Sequence, residues 1–189
     1  MAKVYVFLAN GFEDVEALIP VDVLRRGGVE VVTVSVTGDS QVVETAHRVQ
    51  VVADEMFEDC DFSDADLLML PGGMPGASNL NNHESVRQAL LKQHAAGKRV
   101  AAICAAPLVL GGLGILRGKR ATCYPGFEQT LEGATYTGDL CTVDGNVTTG
   151  EGPAAAFPFA YELLSQLKDA DTANQVATGM RYVHLVESI

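Results

Sequence analysis

Tryptophan is absent from this chain, and basic residues are scarce: thirteen Lys and Arg stand against twenty-four Asp and Glu, a formal net charge of −11. No cluster of Lys and Arg stands out along the chain, so nucleic acid and an anionic membrane are poor partner candidates. Cysteine is sparse and scattered. Cys60, Cys104, Cys123 and Cys141 form no C-x-x-C pair, and no His stands at ligand spacing from another ligand, which argues against a structural zinc site. Long hydrophobic runs are missing as well, because Gly, Pro or charge interrupts every apolar segment before the ~20 residues that cross a bilayer. The run from Val4 to Ala9 is too short for a secretion signal and meets Asn10 and Gly11 rather than a cleavage site. These absences lead to the expectation of a soluble, cytoplasmic protein with reduced cysteines and no bound metal.

What is present suffices for one core. The 189 residues, 48% of them apolar, can bury a sizeable interior without cross-links. No repeat, linker or low-complexity tract divides the chain, so a single domain over 1–189 is expected.

The apolar pattern alternates between strand and helix. Val4 to Leu8 reads as a buried strand, and Phe12 to Arg26 as a helix with apolar residues at 15, 18, 19, 23 and 24, stopped by Gly27-Gly28. Val29 to Val36 is β-branched and strand-like, and Val42-Val43 with Val49 to Val52 predicts a small antiparallel excursion around Arg48. Strands are further expected at Leu67 to Leu70, Val100 to Ile103 and near Ala121 to Tyr124. Helices are expected from Asn82, as N-cap, to Ala96, from Pro107, from Pro153 to Lys168, and before the C-terminus, with a hairpin on Asp144-Gly145. Such alternation predicts an α/β architecture around a doubly wound, mostly parallel sheet. Ligand chemistry in these sheets gathers at the carboxyl ends of the strands. The loops Asn10 to Glu16, Pro71 to Gly76, Cys104 to Pro107 and Tyr124 to Gly126 are therefore expected to share one rim.

Cys104 is the strongest candidate for chemistry. Ala102-Ile103-Cys104-Ala105-Ala106 sets a nucleophile between small residues where a strand hands over to a helix, the pattern of a nucleophile elbow. A helix start behind the sulfur is expected to favour the thiolate. Pro71-Gly72-Gly73 follows another strand, and paired glycines let backbone N–H groups turn toward a reacting oxygen, so Gly72 and Gly73 are candidate backbone donors. Glu13 and Asp14 read as helix-capping carboxylates. Glu16, between Val15 and Ala17, is expected to point inward and to stay protonated opposite the thiol.

Taken together, Gly11-Phe12-Glu13-Asp14-Val15-Glu16, Asp66 to Gly73, Ala101 to Pro107 and Thr149-Gly150-Glu151-Gly152-Pro153 resemble the DJ-1/ThiJ/PfpI superfamily, in its DJ-1-like branch. The resemblance runs nearly end to end. It implies a flavodoxin-like three-layer α/β/α sandwich, a homodimer with sites near the interface, and no cofactor. It casts Cys104 as nucleophile, Glu16 as its protonated partner, and Gly73 with Ala105 as donors. Pocket lining is expected from Asn10, Gly11, Tyr124, Pro125, Gly152 and Pro153, with Arg48 near the dimer contact or in a solvated hairpin. Activities associated with the family are conversion of 2-oxoaldehydes to 2-hydroxy acids, repair of early glycation adducts, peptide hydrolysis, chaperone action, oxidant sensing and thiamine-thiazole biosynthesis.

Two departures narrow that range. Tyr124 stands where many members place a histidine before the proline, and Ala105 stands where the protease-like branch has one, so the proton donor for a peptide leaving group is missing. No phosphate-binding signal supports a thiazole role. Glu151 occupies a position where the resemblance implies that close relatives often carry a basic or neutral residue; facing the rim it would disfavour anionic substrates, and facing solvent it would do nothing. His94 shares the helical face of Val86 and Leu90 and reads as a packing or surface histidine, His83 and His184 have no partner at motif spacing, and His47 sits beside Arg48 in the antiparallel excursion. The favoured reading is a cofactor-free enzyme acting on a small neutral electrophile such as a 2-oxoaldehyde, and the alternative is an oxidant sensor or chaperone-like binding protein working through the same cysteine.

Overall fold

A computed structural model describes residues Met1–Ile189. Strands β1 (Lys3–Leu8) and β2 (Glu30–Ser35) flank helix α1 (Asp14–Arg26), and the antiparallel pair β3 (Val42–Glu44) and β4 (Gln50–Val52) forms the predicted excursion, with Val42 opposite Val52. Then come the short strand β5 (Glu55–Met56), strand β6 (Leu67–Leu70), helices α2 (Gly76–Asn82) and α3 (Glu84–Ala95), strand β7 (Arg99–Ile103) and helix α4 (Pro107–Gly112). A two-stranded parallel pair, β8 (Arg120–Ala121) and β9 (Thr135–Tyr136), precedes the hairpin β10 (Cys141–Asp144) and β11 (Val147–Gly150). Helices α5 (Ala156–Leu167), α6 (Ala170–Gly179) and α7 (Tyr182–Glu187) complete the chain.

The main sheet has seven strands in the order β10-β11-β7-β6-β1-β2-β5, all parallel except β10. Its central strands are buried on both faces, which is why they read as unbroken apolar runs: Leu67 to Leu70 are all fully buried. Helix α5 packs against α1 and α6, while α2 packs against α3 and α4, giving helical layers on the two faces of the sheet. From β1 the chain winds one way through β2 to β5, then returns to β6 and continues the other way to β7 and β11. The strand order thus reverses between β1 and β6, and loops at the carboxyl ends of such a pair leave a crevice.

Five local expectations need correction. Helix α1 starts at Asp14 rather than Phe12 because Glu13 caps it, accepting the Glu16 N–H at 2.8 Å. Its buried stripe includes Glu16, Pro20, Val23 and Leu24, whereas the apolar Val15 and Leu18 are exposed. The helix expected from Asn82 starts instead at Glu84 under a His83 cap, and Gly76–Asn82 is a separate helix whose sequence, GASNLNN, buries only Gly76, Ala77 and Leu80. The strand expected to reach Tyr124 stops at Ala121, because the next N–H groups leave the ladder: Thr122 donates to Thr149 Oγ1 at 2.9 Å and Tyr124 to the Cys104 carbonyl at 2.9 Å. The final helix is two helices, parted at Arg181, whose φ of 64° is left-handed.

Candidate active site

Strand β7 lies beside β6, so its end brings Cys104 to the crevice formed by the loops after β1 and β6. Cys104 has φ 66°, a left-handed conformation that non-glycine residues rarely adopt and that a packed surrounding must hold in place. Two backbone hydrogen bonds do so: its N–H donates to the Gly150 carbonyl at 2.9 Å, and its own carbonyl accepts the Tyr124 N–H at 2.9 Å. Ala102 and Ala106, two residues to either side, are fully buried, so the small neighbours predicted for an elbow are what the packing requires. Helix α4 spans only six residues, Pro107–Gly112, and supplies little macrodipole. The groups that do face the sulfur are the N–H groups of Gly73 and Ala105, both of which favour the thiolate.

Glu16 is fully buried, which a carboxyl group tolerates only when neutral or well partnered. Its Oε2 accepts the Gly72 N–H at 3.0 Å, while its buried Oε1 receives no donor. Burial pushes its pKa from 4.5 to about 7, the Glu13 charge adding to the rise and hydrogen bonds with Cys104 and Gly72 opposing it. An oxygen without a donor suits a carboxylic acid better than a carboxylate. Burial, then the Glu16 charge, push the Cys104 thiol up to about 12. Between those values the two groups hold one proton, shared across the contact as either thiolate with acid or thiol with carboxylate.

This geometry revises two expectations. Gly72 is not a donor to the sulfur; its N–H is committed to Glu16, leaving Gly73, at φ 83°, and Ala105 to face the thiol. Nor does thiol acidity single out Cys104, since burial also raises Cys60 and Cys123 to about 11 and Cys141 to about 12. What distinguishes Cys104 is the strained turn, the facing carboxyl and the paired N–H groups.

The expected pocket lining falls into two clefts. Tyr124, Pro125, Gly152 and Pro153 line one of about 220 Å³, together with Glu151. Asn10, Gly11 and Arg48 line another of about 510 Å³, between the loop after β1 and the β3–β4 hairpin. Asn10 is fixed there, its Oδ1 accepting the Glu44 N–H at 3.0 Å and its carbonyl the Asn79 side-chain amide at 2.8 Å. The histidines lie elsewhere: His83 caps α3, His94 faces Asn146 at 3.2 Å, His47 pairs with Asp14 at 2.7 Å, and His184 is exposed on α7. Sequence reasoning overlooked two contributions. Glu13 raises the Glu16 pKa besides capping α1, and the Gly150 carbonyl anchors Cys104. The crowding of carboxylates at 13, 14 and 16 was the available signal for the first.

No helix is long and apolar enough to cross a membrane. Residues 2–166 match the DJ-1/PfpI family. The chain is 40% identical over 178 residues to Arabidopsis thaliana protein DJ-1 homolog B, covering 93% of this chain but only 40% of that longer relative. It is 36% identical to the Danio rerio Parkinson disease protein 7 homolog, covering 92% of this chain and 94% of the relative, and 33% identical to a Pyrococcus abyssi protein named a deglycase, covering 88% and 99%. Among solved structures, an oxidized Toxoplasma gondii DJ-1 superposes with a TM-score of 0.91 at 34% identity, covering 95% of this chain and 98% of that one. A Salmonella typhimurium DJ-1 superfamily protein gives 0.91 at 32% identity over the same shares. By the family match over residues 2–166 and by these relatives, this chain belongs to the DJ-1/PfpI family.

Proposed function

We propose that this protein converts small 2-oxoaldehydes to 2-hydroxy acids by cofactor-free catalysis at Cys104, a glyoxalase-like and deglycase-like activity. One observation carries the reading: a cysteine in a strained turn, with two N–H groups on its sulfur, faces a buried carboxyl that titrates near neutrality. The thiolate adds to the aldehyde carbon, and the resulting alkoxide takes the Glu16 proton to give a hemithioacetal. The Glu16 carboxylate then carries the C1 proton to C2, leaving a 2-hydroxyacyl thioester that water cleaves to the acid and the restored thiol. The N–H groups of Gly73 and Ala105 stabilise the oxyanions along this path. The deglycase name of the Pyrococcus relative supports chemistry of this kind.

Formation of lactate from methylglyoxal by metal-stripped protein tests the reading. Turnover that disappears in Cys104→Ala supports it, and a stoichiometric adduct without turnover rejects it in favour of oxidant sensing. That second reading has its own support in the Toxoplasma DJ-1 structure, which was solved oxidized. A homodimer is proposed with either, since Val15 and Leu18 on α1 and Val49 and Val52 on the hairpin are 39%, 40%, 50% and 68% exposed in the single chain. Sedimentation equilibrium reporting a 20.0 kDa species would reject the dimer.

A further inference from the structure

The Gly73 N–H that faces Cys104 belongs to the peptide joining Gly72 to Gly73. The peptides on either side of that link are anchored: the Gly72 N–H donates to Glu16 Oε2 at 3.0 Å, and the Gly73 carbonyl accepts the Ala77 N–H at 2.9 Å. The link itself is planar and trans, which puts its N–H and its carbonyl on opposite edges. Its carbonyl accepts the Glu13 N–H at 3.0 Å, so one bond from Glu13 decides which edge the thiol sees. Local conformation offers no other resistance. A peptide between two glycines turns over by opposite changes in ψ of the first and φ of the second, and Gly73, at φ 83°, is at ease on either side of zero. Turned over, the link would show the thiolate a carbonyl oxygen in place of a donor.

Glu13 is held in its turn. Its Oε2 accepts the Glu16 N–H at 2.8 Å, which ties its side chain to the helix it precedes and its backbone to φ −82° and ψ 130°. The carbonyl of the Phe12–Glu13 peptide accepts the Ala46 N–H, from the turn between β3 and β4, at 2.7 Å. The two loops approach so closely that a β-carbon on Gly73 would run into the Glu13 nitrogen.

We propose that Glu13 is a positioning residue for the Cys104 site: its side chain, capping α1, holds its backbone N–H on the Gly72 carbonyl, and that bond keeps the Gly73 N–H turned to the sulfur. The inference rests on the preceding reading only in taking Cys104 as the reacting group, and not on turnover. Glu13 acts through others. One end of it fixes the donor to the thiol, and the other caps the helical turn that carries Glu16.

The amide protons of Gly73 and Ala105 report the two donors separately by NMR. Both should shift when iodoacetamide alkylates Cys104, because the new carbon–sulfur bond, formed with loss of iodide, removes the thiolate to which they donate. Glu13→Gln keeps an oxygen for the Glu16 N–H and should retain the Gly73 response. Glu13→Ala loses that acceptor but not the backbone N–H, and should weaken the response. Glu13→Pro removes the N–H as well, at a φ that proline accepts, and should abolish the response while slowing alkylation at fixed pH about tenfold or more. Ala105 should respond as in the wild type in all three. Asp169→Ala removes a corresponding cap from α6, where Asp169 accepts the Thr172 N–H at 2.7 Å, and should leave both amides unchanged. A full Gly73 response in Glu13→Pro, a loss in Glu13→Gln as deep as in Glu13→Ala, or parallel losses at Gly73 and Ala105 would each overturn the proposal. Should the proline variant not fold, the glutamine and alanine pair decides it. Absence of methylglyoxal turnover in the wild type would sink the catalytic reading while leaving the amide responses, and this inference, standing.

Discussion

Cys104 and Glu16 face one another across Gly72, and a β-carbon there would lie 2.6 Å from both Cys104 Cβ and Glu16 Oε2. Neither neighbour can retreat, since Glu16 is fully buried and the Cys104 backbone is held at both its N–H and its carbonyl. Gly72→Ala should therefore lose about 1 to 3 kcal/mol of stability in urea titration and force the carboxyl away from the thiol. Methylglyoxal turnover should fall with it. A variant with normal stability and normal turnover would mean that the crevice is looser than this contact requires.

The strained turn gives a second expectation. A side chain at φ 66° costs about 1 to 2 kcal/mol relative to the same residue in a right-handed conformation, and glycine escapes that cost. Part of the gain is offset by the greater freedom of glycine in the unfolded chain. Cys104→Gly should accordingly be more stable than Cys104→Ala by about 1 kcal/mol, with both inactive. If alanine is the more stable of the two, the left-handed turn does not survive loss of the sulfur.

Stability should also carry the signature of Glu16. Its folded pKa of about 7 lies above the ordinary 4.5, so the folded state holds the proton more tightly than the unfolded chain. The resulting contribution is complete below pH 4.5, declines as pH rises toward 7, and is gone above it. Glu16→Gln removes this dependence. Relative to the wild type it should gain stability steadily between those limits, by about 3 kcal/mol in all. Parallel slopes for the two proteins across that range would show that Glu16 titrates as an ordinary carboxyl.

Much of this arrangement was legible in residue order. Buried parallel strands give uninterrupted apolar runs, so Val4 to Leu8 and Leu67 to Leu70 placed two central strands and the loops that follow them. The elbow was visible because a sharp turn favours small residues two positions to either side of the nucleophile, here Ala102 and Ala106. Less was visible where tertiary bonds override local pattern. Gly76–Asn82 has too few apolar residues to announce a helix, and Thr122 and Tyr124 leave their strand for partners 27 and 20 residues away in sequence, Thr149 and Cys104. The face of α1 was misjudged for a related reason: Val15 and Leu18 looked like core, yet the helix turns Glu16 inward and leaves them exposed. Nothing local distinguishes Gly72 from Gly73 either. Their N–H groups diverge, one to Glu16 and the other toward the thiol, only once β6 is docked between β1 and β7.

The two duties assigned to Glu16 can be separated by substitution. As a charged neighbour it raises the Cys104 pKa, so Glu16→Gln removes the repulsion while leaving an amide N–H able to point at the sulfur. The thiol pKa should then fall below the wild-type value of about 12, and the step near 7 that belongs to the shared proton should vanish from the pH profile of alkylation. Glu16→Ala removes both the charge and any donor, leaving burial to act alone, so its thiol should be less acidic than that of Glu16→Gln. Proton transfer makes a different demand. An amide cannot carry a proton from C1 to C2, and loss of general acid–base catalysis is commonly worth about a hundredfold or more, so Glu16→Gln should alkylate readily and yet fail to make lactate. Thiolate absorbance against pH and lactate formation, measured on the three proteins, read the two duties independently. Retained turnover in Glu16→Gln would remove the relay from the mechanism, and equal thiol acidity in the Gln and Ala variants would show that residue 16 offers no hydrogen bond to the sulfur.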